Sequence, residues 1–412
     1  MNRLAGFICL AALGCAGTYL PARANSIVVD STGDSGGACT LRYAIDNAND
    51  NAQTHSECAA GGGADTITFD STVFATPQTI TVNSTLPKLT DSNTTTIDGA
   101  NVVTVSGGQN VQVFIVGDFT TKVGSAVFRD IDITDGSGVY GGGMEMSGTT
   151  LELDHVTIAN SSASYSGGGF YSQSGTTTID GCIFDANTAP SGNGGAMDDN
   201  GAVVNISNST FTGNSASGAG GAIFYAGASI SAIDATVTIT NSTFTDNTGN
   251  DGGAISNFRG MALTLDYVTV SGNTATDAIN FGGAVYVDWN GTLSVSNSII
   301  AANTRGDCYK GGHISLGTPP GSLTDAGYNW FGDKTCNGTA DGDPKLGSLT
   351  DNGGLTLTMA PLGGSPVIDA ANCEVGVPTD QRGVARPQGI GCDIGAVEVQ
   401  TIFTDGFETP AM

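Results

Sequence analysis

Between residues 127 and 305 the chain alternates apolar and polar residues in short runs, and each run ends in a small polar turn. Six runs share the pattern: Val156-Thr-Ile158-Ala-Asn160, Cys182-Ile-Phe184-Asp-Ala-Asn187, Ser209-Thr-Phe211-Thr-Gly-Asn214, Ser242-Thr-Phe244-Thr-Asp-Asn247, Val268-Thr-Val270-Ser-Gly-Asn273 and Ser298-Ile-Ile300-Ala-Ala-Asn303. Most continue through small residues to a Gly-Gly pair, at 167–168, 194–195, 220–221, 252–253 and 282–283, and an earlier copy runs from Ile131 through Asp135 to Gly141-Gly142. The turn positions 135, 160, 187, 214, 247, 273 and 303 recur at intervals of 25 to 33 residues. Period-two alternation excludes helical repeats, and the interval is too short for propeller blades of ~40–45 residues. Each interval therefore predicts about three short strands and three turns: one coil of an all-β, parallel β-helix, with coils stacked about 4.8 Å apart. Stacking places the Asn residues in a column that bonds amide to amide. The Gly pair lets the chain turn sharply, and Phe211, Phe244, Val270 and Ile300 form one inward apolar stack.

The strand after each Gly pair is the most informative about function. Aligned, these strands read Met144-Glu145-Met146, Phe170-Tyr171-Ser172, Met197-Asp198-Asp199, Ile223-Phe224-Tyr225, Ile255-Ser256-Asn257 and Val285-Tyr286-Val287. The first column is apolar and points in, so the second points out: Glu145, Tyr171, Asp198, Phe224, Ser256 and Tyr286. Trp289 and Arg259 follow a few residues along their coils. Tyr171, Asp198, Phe224, Tyr286 and Trp289 are the expected binding residues, since rings spaced by coil stacking suit a sugar chain or a partner protein. The plain alternative is a solvated face on which aromatic residues cover the sheet. For catalysis the candidates are Asp198, Asp199 and Glu145. Glu145 and Asp198 lie two coils apart, about 9.6 Å between backbones, a spacing that permits inverting glycoside hydrolysis. Asp199 is expected to point inward or into a turn.

The paired motifs Phe211-Thr-Gly-Asn214 with Gly220-Gly221-Ala222-Ile223, and Phe244-Thr-Asp-Asn247 with Gly252-Gly253-Ala254-Ile255, resemble the repeats of bacterial polymorphic outer-membrane proteins. That resemblance implies the right-handed parallel β-helix class, the pectin-lyase-like solenoid that also includes pectate lyases. Enzymes of that kind use a calcium-binding Asp cluster beside a basic catalytic residue. Here Arg259 is the only Lys or Arg between 130 and 304.

Residues 39–50 carry Leu41, Ala44, Ile45 and Ala48 at helical spacing, with Thr40 as N-cap. A helix there would cover the first coil, whose open end exposes core and strand edge. The run resembles the CSLREA domain at the start of secreted β-helix proteins, with Tyr43 where that family has Glu. Strands follow at Asp65–Phe69, Gln78–Val82 and Thr96–Gly99. Toward the other end, Gly327-Tyr-Asn-Trp330, Thr350-Asp-Asn-Gly-Gly354, Gly364-Ser-Pro-Val-Ile-Asp369, Asp380-Gln-Arg-Gly383, Arg386-Pro387 and Cys392-Asp-Ile-Gly-Ala396 resemble the choice-of-anchor closing region of bacterial surface proteins. The expected organisation is a leader at 1–24, an N-terminal cap at 25–62, the repeats at 63–307, a closing region at 308–398 and a tail at 399–412 read as a sorting signal.

The leader has Arg3, an apolar run from Leu4 to Leu13 and an Ala22-Arg23-Ala24 cleavage site. The run is far shorter than the ~20 residues of a membrane span. A lipobox-like Ala12-Leu13-Gly14-Cys15 ranks second. Export makes disulfides plausible, and spacing suggests Cys39–Cys58, Cys308–Cys336 and Cys373–Cys392, with Cys182 left as a buried thiol in an apolar strand. Of 412 residues only 13 are Lys or Arg against 39 Asp or Glu, a formal charge of −26 that excludes binding nucleic acid or anionic membranes through phosphates. Three His argue against a His-built metal or triad site. No EF-hand or nonapeptide calcium spacing is present, so no cofactor is expected; Asp-Gly turns leave calcium as an open alternative. The expectation is an exported monomer at the cell surface, outer membrane or in the medium. Its expected function is non-catalytic binding of glycans or cell surfaces, in the manner of an adhesin. The alternative is a lyase or hydrolase of acidic polysaccharide, and a third reading is an inert spacer.

Overall fold

The computed structural model describes residues 25–121, 123–227, 235–277, 283–311 and 319–399. The expected leader, 1–24, lies outside the described residues, as does the expected tail beyond Val399.

The protein is a parallel β-helix. One coil shows the plan: strands Met144–Ser147, Thr150–Asp154, Thr157–Ala159 and Ser162–Ser166 follow one another before Phe170–Gln173 begins the next coil. Among the described residues these strands assemble into three sheets of nineteen, eight and six strands. The sequence predicts three strands per coil; the fourth arises because the nineteen-stranded sheet bends at a single left-handed residue in the coils from 150 to 300. His155, Asn208, Asn241, Tyr267 and Asn297 occupy that bend, all with φ between 46° and 54°. Gly181 takes it with φ 59°.

The Asn column is real and continuous over five coils. Asn187, Asn214, Asn247 and Asn273 each donate from Nδ2 to Oδ1 of the next, at 3.0, 2.9, 2.9 and 3.1 Å, ending on Asn303. Each Oδ1 also accepts the backbone N–H of the preceding coil's turn, and each Nδ2 donates to a carbonyl such as Phe211 O or Phe244 O. The column starts one residue away from the expected place. Above Asn187 stands Ser161, whose N–H donates to Asn187 Oδ1, while Asn160 is the left-handed residue before it (φ 53°). Asn160 and Asp135 resemble the column in sequence but fill the adjacent corner.

A second column carries hydroxyls. Ser209, Ser242 and Ser298 each accept the N–H of the preceding coil and donate to the carbonyl two residues back. Cys182 takes the equivalent place: its Sγ accepts from Val156 N–H at 3.4 Å and faces Asp180 O at 3.2 Å. The thiol is free, and burial pushes it up to about 12. Inside, Phe184, Phe211 and Phe244 stack with ring centroids 4.7 and 4.6 Å apart and planes 3° from parallel. Val270, Ile300 and Phe331 continue that stack in register.

The Gly pairs divide two tasks. Gly220 is left-handed (φ 69°). Gly221 is needed for contact, because a Cβ there would lie 2.1 Å from Gly253 O of the next coil.

At the N-terminal end, helix α1 (Leu41–Asp50) packs on strands Ser26–Val29 and Thr66–Phe69, with Thr40 Oγ1 accepting the Tyr43 N–H. Leu41, Ala44, Ile45 and Ala48 face the core. Disulfides join Cys39–Cys58, Cys308–Cys336 and Cys373–Cys392. Cys308 and Cys336 have Cα atoms 4.8 Å apart, the distance between stacked coils.

The region expected to close the C-terminal end does more than that. Strands Cys308–Lys310, Ser322–Asp325 and Trp330–Phe331 extend the coils. Beyond them the chain turns back and lies as a strap along the outside of the bent sheet. Thr210 Oγ1 donates to Leu357 O, Thr243 Oγ1 donates to Gln381 Oε1, and Thr269 Oγ1 accepts from Ala396 N–H. Within the strap, Arg386 pairs with Glu398 at 3.0 Å, the two side chains 1% and 0% exposed, and its guanidinium lies 4.1 Å from the Tyr267 ring centroid. Among the described residues no helix is long and apolar enough to cross a membrane.

Candidate functional site

The eight-stranded sheet carries the aligned columns in the expected register. Phe170 pairs with Met144 and Met197, and Met197 with Ile223, all inside. The second column runs Glu145, Tyr171, Asp198, Phe224, Ser256, Tyr286 and on to Tyr309. It faces outward, yet Asp198, Ser256 and Tyr286 are almost wholly enclosed. Turn residues before the Gly pairs rise on one side of the column, and residues at the ends of the strands rise on the other. Between them runs a groove of about 470 Å³.

Asp198, Phe224, Ser256 and Tyr286 line this groove, together with Tyr165, Asn193, Asn200, Asp251, Phe258 and Arg259. Phe258 stacks on Trp289 with centroids 5.0 Å apart, and Arg259 lies over both rings. Tyr171 sits beyond the other end, 4.7 Å from Tyr140, which in turn touches Tyr165. Tyr286 donates to Asp288 Oδ2 at 2.7 Å and stacks parallel to Tyr309. Rings thus gather at each end of the groove, and on its floor Phe224 lies between the polar Asp198 and Ser256.

The three carboxylates singled out for catalysis are not brought together. Glu145 accepts from Gln112 Nε2 at 3.2 Å, outside the groove lining, and Tyr171 stands between it and Asp198 in the ladder. Asp199 faces the interior, fully buried, where it accepts from Ser172 Oγ and from Ala202 N–H. Its column, Met146, Ser172, Asp199, Tyr225, Asn257 and Val287, gives the solenoid a polar interior stretch. Asp198 alone is in the groove. Asn200 Nδ2 donates to it at 3.0 Å. Burial pushes its carboxyl up to about 8, the Ser166 hydroxyl bond opposing and Asp199 adding to the rise. Burial likewise pushes Asp199 up to about 7 against the bonds from Ser172, Ala202 and Gly201. Both acids therefore keep protons far above the ordinary carboxylate range. Tyr171 and Tyr286 are also raised, mainly by burial.

Phe258 and Asn200 were findable from the sequence. They pair in the fourth column of the same strands, with Gln173 and Ala226, and so also point outward. Tyr140, Tyr165, Asn193 and Asp251 lie outside the aligned strands and carry no such signal.

Comparison with family models gives no match, and none of the curated proteins matches either. The repeat, N-terminal and C-terminal resemblances therefore rest on their motifs alone. Among solved structures, the crystal structure of pectate lyase Pel9A is similar over 91% of this chain and 96% of its own, with 13% sequence identity and a TM-score of 0.49. At that distance its chemistry does not transfer to these residues.

Proposed function

We propose that this protein is an exported β-helix that binds a glycan in the groove along its eight-stranded sheet, without transforming it. The observation that carries the reading is the arrangement of rings: Tyr140, Tyr165 and Tyr171 at one end, Phe224, Phe258 and Trp289 toward the other, with amides and carboxyls between. Apolar faces with a few placed polar groups are what a concave ligand site needs, and a sugar ring presents the matching alternation of C–H faces and hydroxyl edges. Three disulfides and the leader-like N-terminus support export. Attachment to a cell surface and an adhesin role extend this reading by analogy with the repeat and closing motifs.

The test is a glycan array probed with the full chain, alongside Phe224→Ala/Phe258→Ala. Both rings are only partly buried, so their removal spares the core. Glycan binding that falls about tenfold or more in the double variant is expected; an array with no ligand sinks the proposal. A second reading, hydrolysis, has one observation in its favour: Asp198, whose protonated form is favoured by burial, shares the groove with a second carboxyl, Asp251, as an acid–base pair would. Turnover of any bound glycan, abolished by Asp198→Asn, would establish it over binding alone.

A further inference from the structure

We infer that the groove accepts an uncharged, hydroxyl-rich glycan chain laid across the strands, and discriminates against uronic-acid polymers; this rests on the glycan reading above. The length follows from the ladder. Asp198, Phe224, Ser256 and Tyr286 are successive rungs, so the floor covers three strand spacings, about 14 Å, room for a short oligosaccharide. The charge class follows from the lining. Asn193 and Asn200 offer neutral amides, and Phe224 and Phe258 offer rings. Ser256 brings a buried hydroxyl whose oxygen has no hydrogen-bond partner. Asp198 is enclosed, and burial favours its neutral, protonated form.

Among the described lining residues the other Asp, Glu, Lys or Arg side chains are Asp251 and Arg259. The Arg259 guanidinium lies 5.7 Å from the Phe258 centroid and 5.4 Å from the Trp289 centroid, which makes it part of the groove wall. Holding a carboxylate on every sugar would take a row of cations, and among the described lining residues Arg259 is the one Lys or Arg. The chain's net charge of −26 also repels a polyanion on approach. A neutral chain meets neither obstacle.

The experiment is titration calorimetry on the full chain at pH 7 with oligosaccharides of matched length. The neutral arm uses gluco-, xylo- and manno-oligomers, the anionic arm galacturonate and mannuronate oligomers, and the cationic arm chitosan oligomers. One neutral series is expected to bind at least about tenfold tighter than either charged arm. That affinity should change less than about threefold in ~0.5 M salt and should fall about tenfold in Phe224→Ala/Phe258→Ala. Phe224→Leu/Phe258→Leu, which keeps the volume, controls for folding. Uronate or chitosan oligomers binding as tightly as the neutral ones overturn the inference and leave the glycan groove standing. So does an affinity lost in salt or in Arg259→Gln. If no series binds, or binding ignores both ring variants, the inference and the groove reading fall together.

Discussion

Two outer faces of the same solenoid meet different fates. Along the bent sheet, Thr210, Thr243 and Thr269 point outward and are buried because the strap lies over them, and each hydroxyl finds a partner there. Along the eight-stranded sheet a groove lies over the column, and Ser256 Oγ stays unsatisfied at its floor. Both faces arise from the same alternation of in and out. The difference lies in what the chain brings back. The strap supplies carbonyls, amides and a buried ion pair that fit one row of threonines. The groove is lined instead by aromatic edges and polar side chains.

That contrast makes distinct demands on mutants. The largest effect is expected on the covered face. Arg386→Met leaves Glu398 buried without its cation, a loss of about 3–5 kcal/mol. Denaturant unfolding should register it, and proteolysis should cut the strap first. An unchanged midpoint would show that the strap contributes little. Asn247→Ala strikes the spine common to both faces. It removes the acceptor for Asn214 N–H and Nδ2 and the donor to Phe211 O, each worth about 1–3 kcal/mol when left buried and unpaired. The loss should be similar at Asn214, and a neutral outcome would deny the column any structural role.

Asp199 gives a prediction in pH. Its folded value, about 7, lies above the unfolded 3.8, so the folded state binds the extra proton and its stability falls as pH rises between those values. Asp199→Asn removes that slope. The variant's melting temperature relative to the parent should climb from pH 5 to pH 8; a constant offset would contradict the buried, protonated acid. The smallest effect is expected at Ser256. Deleting an unpaired buried hydroxyl in Ser256→Ala should leave stability unchanged or raise it by about 1 kcal/mol, whereas Thr243→Val on the covered face should lower it. If both behave alike, the distinction between the faces fails.

Repetition made much of this readable in advance. Phe211, Phe244, Val270 and Ile300 stack as their spacing implies, because each coil imposes the same register on the next. Thr40 caps α1 and the three disulfides pair as spacing suggests, since local chemistry decides both. The column's start misled because Asn160 carries the right letter one position early; a left-handed corner and a ladder turn both favour Asn. The strap was illegible for a different reason. Contacts such as Gln381 Nε2 with Thr210 Oγ1 span 171 residues and follow no period. The groove stood between these cases: its floor lay in the aligned strands, and its walls came from turns of irregular length.

The column of amides also fixes the unit in which this architecture can change size. Each Asn hands its donors to the following lap, at intervals of 27, 33, 26 and 30 residues. Excising or duplicating one whole lap would rejoin the amides, and a partial cut would strand them. Because the groove floor is built from the same laps, its reach can be lengthened or shortened only in steps of a single strand spacing.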